Sequence, residues 1–424
     1  MKKIFLFANN IFILAIFTFL LSGCVKDGYK HTYTVFIPVY KTLSQQRSLI
    51  GNKAPTSLQN TGKIYVKDNW IFINEKDKGI HVIDNSNPSQ PKNIAFWNIP
   101  GNRDLAVEGN TLYADLYCDI VAIDISDPNH ISVDKFLTNV DPSRLYFYTN
   151  TTNPDSINVV TDWIAKDTTV THEIYDSWIG CMNCPVMTNA YNAAVPSAST
   201  SAATATGTGS SEQRFTISKG YLYALGNYLL NTIDISSPAN PSIASTIGVG
   251  ENAQTIYPFN NDLFVGTLTG MFVYDVTDPA NPQTVSWTAH WCMGDPVISD
   301  GKYAYVTLSA STKCHTTNDQ LEIFDVTNLS TPQLVKTYSF TNPLGLTKDG
   351  NLLFICDASD GLKIFDATDV SNLKLLQHLR GVNAQDVIAA NGKALVIAEG
   401  LLVQYDYSDI NNVKLLSSIS SGNQ

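Results

Sequence analysis

The sequence predicts an all-β fold, a seven-bladed β-propeller of four-stranded antiparallel blades with a large insertion between two blades. Two observations carry the prediction: one short motif recurs seven times, and most neighbouring copies are 40 or 41 residues apart. Four short strands in a repeat of about 40 residues are typical of one propeller blade. The copies occupy residues 81–91, 121–131, 231–241, 272–282, 322–332, 363–373 and 403–413.

Each copy of the motif is predicted to end a strand in a tight turn. Apolar residues, mainly β-branched or aromatic, precede an invariant Asp, and Ser or Thr always follows two positions later. Such apolar residues favour strands, and short polar side chains close turns by bonding the backbone just ahead. Seven equivalent copies cannot form one active site, so we interpret the Asp residues as structural. They are Asp84, Asp124, Asp234, Asp275, Asp325, Asp366 and Asp406.

A second signal upstream of each Asp completes the blade. Turn dipeptides such as Asn260-Asn261 and Asn391-Gly392 precede short apolar strands. Asn and Gly tolerate the positive φ angles that a two-residue hairpin needs. Apolar stretches on either side then give four strands per repeat, which we call A, B, C and D in chain order.

Two intervals depart from the period. The interval of 50 before Asp325 is explained by about ten extra residues between strands B and C, near 310–319. The interval of 110 after Asp124 leaves an insertion at 141–211, with a predicted hairpin and a tail rich in Ser, Ala, Thr and Gly. Eight blades are possible if a degenerate blade lies there, but the Asp motif is missing, which favours seven.

The N-terminus has the features of an export signal. Lysines at positions 2 and 3 precede an apolar run from Ile4 to Leu21, and the ending Leu21-Ser22-Gly23-Cys24 resembles a bacterial lipobox. A transmembrane anchor is the alternative, although Asn9 and Asn10 interrupt the run. We therefore expect a lipoprotein signal peptide at 1–23, lipid on Cys24, a tether with a lead-in strand at 24–61, and the propeller at 62–424.

The net charge argues against nucleic-acid binding, and the cysteine content allows disulfides. Removal of residues 1–23 changes the formal charge from −11 to −13, whereas a nucleic-acid-binding protein is expected to be basic. Six cysteines follow Cys24, and an exported protein can form disulfides. The candidates are a local Cys181–Cys184 bridge and a Cys292–Cys314 bridge. Cys118 and Cys356 lie in strand segments and are expected to be buried thiols.

The irregularities are predicted to share one face. In a propeller the D–A and B–C loops lie on the same side, and both long departures from the period belong to these loops. Function commonly lies in variable loops on a rigid scaffold. The alternative is that polar residues there only pair with neighbouring blades. The candidate binding residues are Asn102, Arg103, Asp104, Arg214, Trp291, Met293, Asp295, Asn342, Asn383 and Asp386.

Catalytic and cofactor motifs are missing from the sequence. It has no H-E-x-x-H, no Walker loop, no dinucleotide fingerprint and no G-x-S-x-G. The Cys181-x-x-Cys184 pair lacks the second ligand pair that zinc usually needs. We therefore expect no cofactor, no metal and no catalytic residue that can be named.

The strand C consensus, hydrophobic-x-hydrophobic-Asp-x-Ser/Thr-Asp/Asn-Pro-x-x-Pro, resembles the LVIVD-repeat family of bacterial surface propellers. The best copies are IHVIDNSNPSQP and MFVYDVTDPANP, while the last three copies lack the first Pro. The resemblance implies an extracytoplasmic propeller, often a lipoprotein, with no catalytic residues to transfer. It favours an outer-membrane lipoprotein of a Gram-negative bacterium, on the surface or periplasmic side, that binds a protein or glycan. The alternative is a carbohydrate hydrolase or lyase at the channel mouth.

Overall fold

A computed structural model describes residues 29–172, 208–250, 252–289, 296–309 and 319–420. The described chain divides into two compact units. The smaller unit contains residues 29–39 and 161–172, and the larger unit contains residues 40–160 and the rest from 208 onward. The signal sequence with Cys24, and the four cysteines proposed to form disulfides, lie outside the described residues.

The larger unit is a ring of seven four-stranded antiparallel blades, which confirms the predicted fold class. Of the insertion, the described residues contribute one strand of a two-stranded sheet and one short strand on blade I, and no eighth blade. The elements before the ring are β1 (Tyr29–Thr42), α1 (Leu43–Arg47) and β2 (Gly51–Lys53). Strands A to D are, in blade I, β3 (Thr61–Lys67), β4 (Trp70–Glu75), β5 (Gly79–Asp84) and β6 (Lys92–Asn98), and in blade II, β7 (Leu105–Glu108), β8 (Thr111–Leu116), β9 (Asp119–Asp124) and β10 (Ser132–Leu137).

The insertion and the remaining blades follow in chain order. The insertion contains a 3₁₀ turn (Pro142–Arg144), β11 (Asn158–His172) and β12 (Thr208–Gly209). Blade III has β13 (Phe215–Ser218), β14 (Tyr221–Leu225), β15 (Leu229–Asp234) and β16 (Ser242–Gly248); blade IV has β17 (Ala253–Phe259), β18 (Asp262–Thr267), β19 (Gly270–Asp275) and β20 (Gln283–Ala289). Blade V has β21 (Val297–Ser299), β22 (Tyr303–Leu308), β23 (Gln320–Asp325) and β24 (Gln333–Ser339); blade VI has β25 (Leu346–Asp349), β26 (Leu352–Cys356), β27 (Leu362–Asp366) and β28 (Lys374–Leu379); blade VII has β29 (Asp386–Ala390), β30 (Lys393–Ala398), β31 (Leu401–Asp406) and β32 (Lys414–Ser420).

The repeated Asp ends strand C in every blade and bonds the turn that follows. Its Oδ1 accepts a hydrogen bond from the backbone N–H two residues later, at 2.6–2.9 Å in all seven copies. In four blades the Ser or Thr hydroxyl donates to the same oxygen at 2.6 Å. These bonds favour the ionised form and lower the pKa of Asp366, for example.

Strand D of every blade contains a β-bulge at the same place. The register with strand C shifts ten residues after the repeated Asp, at Asp134 in blade II and at Leu376 in blade VI, for example. Strand D is the outer edge of each blade, and bulges twist an edge away from pairing with another chain. The short β2 additionally pairs with β6, the outer strand of blade I.

The ring closes by side-chain contacts between blades VII and I. The Thr61 hydroxyl donates to the Ala398 carbonyl oxygen at 2.6 Å and accepts from the Gly400 N–H at 3.2 Å. Gln404 donates to Asn85 at 2.8 Å. Aliphatic side chains of both blades share one core cluster. Because each blade contains four consecutive strands of the ring, no strand is exchanged at the closure.

The smaller unit contains most of the two-stranded sheet formed by β1 and β11. Thr32 and Thr169 hydroxyls lie 2.9 Å apart, and the Thr34 hydroxyl donates to Asp167 at 2.7 Å. The predicted lead-in strand therefore exists, and its partner is the first strand of the insertion.

Candidate functional site

The end of the insertion crosses the inner side of the ring. We call residues 208–214 the channel segment. Its β12 pairs antiparallel with β3, strand A of blade I. Ser211 Oγ then accepts from the Leu346 N–H of blade VI at 2.9 Å, and the Gln213 carbonyl oxygen accepts from the Ile256 N–H of blade IV at 2.9 Å. Because these partners belong to strand A of different blades, the segment occupies the channel that those strands line.

Seven equivalent positions, at or near the start of the inner strands, form a collar around the channel. The strand A and B ladders align these positions, each one residue before a matched pair such as Leu105–Ala114 or Val387–Val396. Four of the seven positions carry charge, two positive and two acidic. In blades I to VII the collar residues are Lys63, Asp104, Arg214, Thr255, Pro296, Gly345 and Asp386.

Asp104 is a buried carboxyl group at the junction of the channel segment and blade II. It is 2% exposed, accepts from the Leu105 N–H at 2.7 Å, and accepts from the Arg214 N–H. Burial raises the pKa of Asp104 to about 7, opposed by the charge of Lys63 and by the Arg214 N–H bond.

Asp386 is the equivalent carboxyl group in blade VII and is also 2% exposed. Its Oδ1 accepts from the Val387 N–H at 2.9 Å. Burial, followed by the nearby Glu212 carboxylate, raises the pKa of Asp386 to about 8, while Lys63 and the Ser210 hydroxyl oppose the rise. A Cβ at position 345 would collide with Asp386, so glycine in blade VI leaves room for this carboxyl group.

Lys63 lies between the two acidic collar positions around the ring. Its ammonium group forms an ion pair with Glu212 of the channel segment at 3.2 Å. One ammonium group thus faces three carboxyl groups, Asp104, Asp386 and Glu212. Its charge opposes the rise in the pKa of Asp104 and of Asp386 but does not cancel the effect of their burial.

An arginine-rich cluster lies beside the collar at the loops of blades I and II. Arg144 of the insertion pairs with Asp115 and donates to the Gly101 carbonyl oxygen at 2.8 Å. Arg103 pairs with Asp77 at 2.8 Å. These contacts fix the 3₁₀ turn of the insertion against the B–C and D–A loops, as expected if both loop types share one face.

The guanidinium group of Arg214 is not fully hydrogen-bonded within the described residues. Among the described residues, no hydrogen-bond partner is found for its buried Nε and Nη2 atoms, and Asp141 Oδ2 lies 3.9 Å from Nη2. Burial lowers the pKa of Arg214. The adjoining cavity measures about 20 Å³, enough for a water molecule.

Three aromatic side chains, Tyr40, Tyr146 and Phe147, contact one another where the insertion leaves blade II, and Tyr148 follows them in sequence. Tyr40 stacks near Phe147 at 6.1 Å between ring centroids, and Tyr146 meets Phe147 edge to face at 5.0 Å. Tyr146, Phe147 and Tyr148 are 56%, 68% and 70% exposed. Three consecutive large side chains with this exposure are unusual on a monomeric surface and mark a candidate interaction site.

The candidate residues predicted from sequence divide into three groups. Asn102, Asp104 and Asp386 are buried, and Asn102 bonds Asn74 and Asp115 between blades I and II. Arg214 is half-buried at the collar, whereas Arg103, Asn342 and Asn383 are exposed. Trp291, Met293 and Asp295 lie outside the described residues, as do Cys181, Cys184, Cys292 and Cys314. The two described cysteines, Cys118 and Cys356, are free and buried.

Sequence reasoning missed Lys63, Glu212 and Arg144. Lys63 lies 21 residues before the repeated Asp of its blade, whereas Asp104 and Asp386 lie 20 before theirs, so only the strand ladders show that the three positions are equivalent. Glu212 and Arg144 belong to the irregular insertion, and no repeat aligns them with another blade. Their contacts depend on the path of the insertion through the ring.

Asp104 lines the small cavity beside Arg214, and Asp386 does not line it. A groove of about 670 Å³ lies elsewhere, between Lys92–Ile94 and Ser418–Ser420, and its lining contains no carboxyl group. In the described part of the chain, no three His, Cys, Asp or Glu residues are placed to hold a metal ion. No helix of the described residues is both long enough and apolar enough to cross a membrane.

The LVIVD repeat matches residues 60–95, 101–135, 211–247 and 297–339. These segments correspond to blades I, II, III and V. No curated protein matches the sequence significantly.

Solved structures share the architecture at low sequence identity. The periplasmic gluconolactonase PpgL of Pseudomonas aeruginosa is 12% identical, with a TM-score of 0.52 over 88% of this chain and 96% of that chain. A protein from Lactobacillus plantarum is also 12% identical, with a TM-score of 0.51 over 85% of this chain and 96% of that chain. Identities this low show the fold alone. The chain is therefore a seven-bladed β-propeller with LVIVD repeats in four blades, consistent with the family that its turn motif resembles.

Proposed function

We propose that this protein is a non-enzymatic binding module that engages a protein or glycan through the insertion side of the ring. The observation that carries the proposal is the exposed aromatic cluster of Tyr146, Phe147 and Tyr148. Aromatic side chains provide large contact areas at little conformational cost and are enriched in interaction hot spots. The arginine contacts of the adjoining 3₁₀ turn hold the cluster on a rigid support.

The position of the channel segment also favours binding over catalysis. The alternative function, a carbohydrate hydrolase or lyase, would use carboxyl groups at the channel mouth. Asp104 and Asp386 have the raised pKa values that such acids need, but both are buried against the channel segment. A substrate would have to displace that segment before reaching either group.

We further propose that the mature protein begins at Cys24 and is tethered by lipid to the outer membrane of a Gram-negative cell. The export signal and the Leu-Ser-Gly-Cys ending support this location. Intact-mass measurement of the membrane-extracted protein should show an acylated N-terminal cysteine, and Cys24→Ala should remain unprocessed. A wild-type protein that retains residues 1–23 would refute the tether.

Binding is tested by cross-linking the membrane-tethered protein in cells and comparing the captured species between variants. In the test variant Tyr146, Phe147 and Tyr148 are all changed to Ser. A matched control changes Leu334, Leu375 and Leu415 to Ser, because these side chains are similarly exposed on outer strands. We expect the captured species to disappear with the test variant and to persist with the control. Equal capture by both variants would contradict the proposed site.

A further inference from the structure

The channel segment connects the insertion to the ring through contacts with four blades. Besides its pairing with β3, it meets blade VI at Ser211, blade IV at Gln213 and blade II at Arg214. Whatever controls the seating of this segment therefore controls one end of the insertion.

The segment is buried but incompletely bonded. Ser210, Ser211 and Gln213 are each at most 5% exposed. Within the described structure, Gln213 Oε1 has no hydrogen-bond partner, and the Ser210 hydroxyl faces Asp386 without reaching the geometry of a full hydrogen bond. Buried polar atoms without partners cost free energy, so the segment is less strongly held than a strand in the middle of a blade.

Acidic side chains outnumber basic side chains around the channel segment. Asp104 faces Lys63, the Arg214 N–H and Asp115, and Asp386 faces Glu212, Lys63 and the Ser210 hydroxyl. Tyr65 of β3 and the Cys356 thiol of blade VI complete the surroundings of these acids. Lys63 is already paired with Glu212, and the Arg214 guanidinium acts on Asp104 but also faces Asp141 and Asp115. Ionisation of both acids would therefore add two negative charges to a site whose cations Lys63 and Arg214 already face other carboxylates.

We propose that the channel segment is a pH-sensitive latch, seated while Asp104 and Asp386 are protonated and released when they ionise. Release would hydrate both carboxyl groups and free the C-terminal end of the insertion. The proposal stands on the collar geometry and does not depend on the binding function proposed above.

The direction of the pH effect follows from proton linkage. In the seated state the pKa of Asp104 is about 7 and that of Asp386 about 8, whereas a hydrated Asp has a pKa near 4. A group with a raised pKa stabilises the protonated, seated state most at low pH. Seating is therefore full below about pH 4 and weakens as the pH rises towards 7 and 8.

Hydrogen exchange of the full-length mature protein, followed by mass spectrometry from pH 5 to pH 8, tests the latch. Peptides covering residues 208–215 report the segment, and peptides covering β22 of blade V serve as an internal reference. Exchange rates are divided by those of an unstructured chain at the same pH, which removes base catalysis. We expect protection of the segment to fall about tenfold or more, with β22 unchanged.

Variants separate the latch from general instability. Asp104→Asn with Asp386→Asn should keep the segment protected at pH 8, because neither side chain can ionise. Asp366→Asn, on an exposed turn, should behave as wild type. If the double variant fails to fold, Glu212→Gln should still reduce the pH dependence, because it removes a carboxylate beside Asp386. Constant wild-type protection, a parallel loss in β22, or a wild-type response in the variant that folds would overturn the proposal.

Discussion

The backbone N–H of Arg214 donates to the carboxyl group of Asp104, and this bond joins the last residue of the channel segment to the first residues of blade II. The two residues are 110 positions apart in sequence, yet they occupy equivalent collar positions in adjacent blades. The insertion therefore leaves the ring after blade II and returns to the collar beside its point of departure. An insertion attached to the ring at both ends in this way does not need a blade of its own.

The closure between blades I and VII depends on the Thr61 hydroxyl. Thr61→Val keeps the shape but removes both hydrogen bonds, and we expect a loss of about 1–3 kcal/mol in the free energy of unfolding. Thr267→Val is the matched control, because that buried hydroxyl bonds within blade IV. Hydrogen exchange should increase first in β3 and β30 for Thr61→Val. Equal exchange in all blades would show that the closure is not the weak point.

Gly345 is required because Asp386 occupies the space beside it. Gly345→Ala should destabilise the protein by about 1–3 kcal/mol, since the new methyl group collides with the buried carboxyl group. Gly248→Ala is the control, because its site is open. Combining Gly345→Ala with Asp386→Ala should recover part of the loss in a double-mutant cycle measured by denaturant unfolding. Additive effects would contradict the clash.

The free energy of unfolding should decrease at acidic pH because His81 is buried. This fully buried side chain lies 3.2 Å from Glu75, and burial lowers its pKa. A lowered histidine pKa means that the unfolded chain takes up the proton first, so stability decreases as the pH falls below about 6.5. His81→Gln should weaken this dependence in unfolding curves between pH 7 and pH 5. If the pH dependence of the unfolding free energy is the same in this variant, groups other than His81 cause it.

The repeated Asp residues accept hydrogen bonds from the turn that follows strand C. Asp366→Asn retains the acceptor for the Thr368 N–H, whereas Asp366→Ala removes it. We expect the Ala variant to unfold at a lower denaturant concentration than the Asn variant, which should resemble wild type. If the two variants unfold together, the turn does not depend on the side-chain bond.

The ring could be predicted from the repeat because the residues that bond each other in each turn are close in sequence. Asp325 and Thr327 lie two residues apart, so a single turn contains both partners of the bond. The collar was only partly predictable: Asp104, Arg214 and Asp386 were candidates, but their shared position appears only when the ladders are aligned. Glu212 and Ser211 could not be assigned, because their partners lie in blades I and VI and depend on the path of the insertion. The bulges in strand D were also not predicted from the sequence.

Because no strand is exchanged at the closure, strands A to D of every blade come from one continuous stretch of chain. Blade VII meets blade I through hydrogen bonds such as Thr61 to Ala398, and any other pair of neighbouring blades could serve as the seam instead. The chain could thus be joined near residues 61 and 420 and cut in a different D–A loop, so that another blade comes first in sequence. Such a circular permutant would keep all seven blades and move the chain ends to another sector of the ring. The position of the chain ends is therefore independent of the blade architecture.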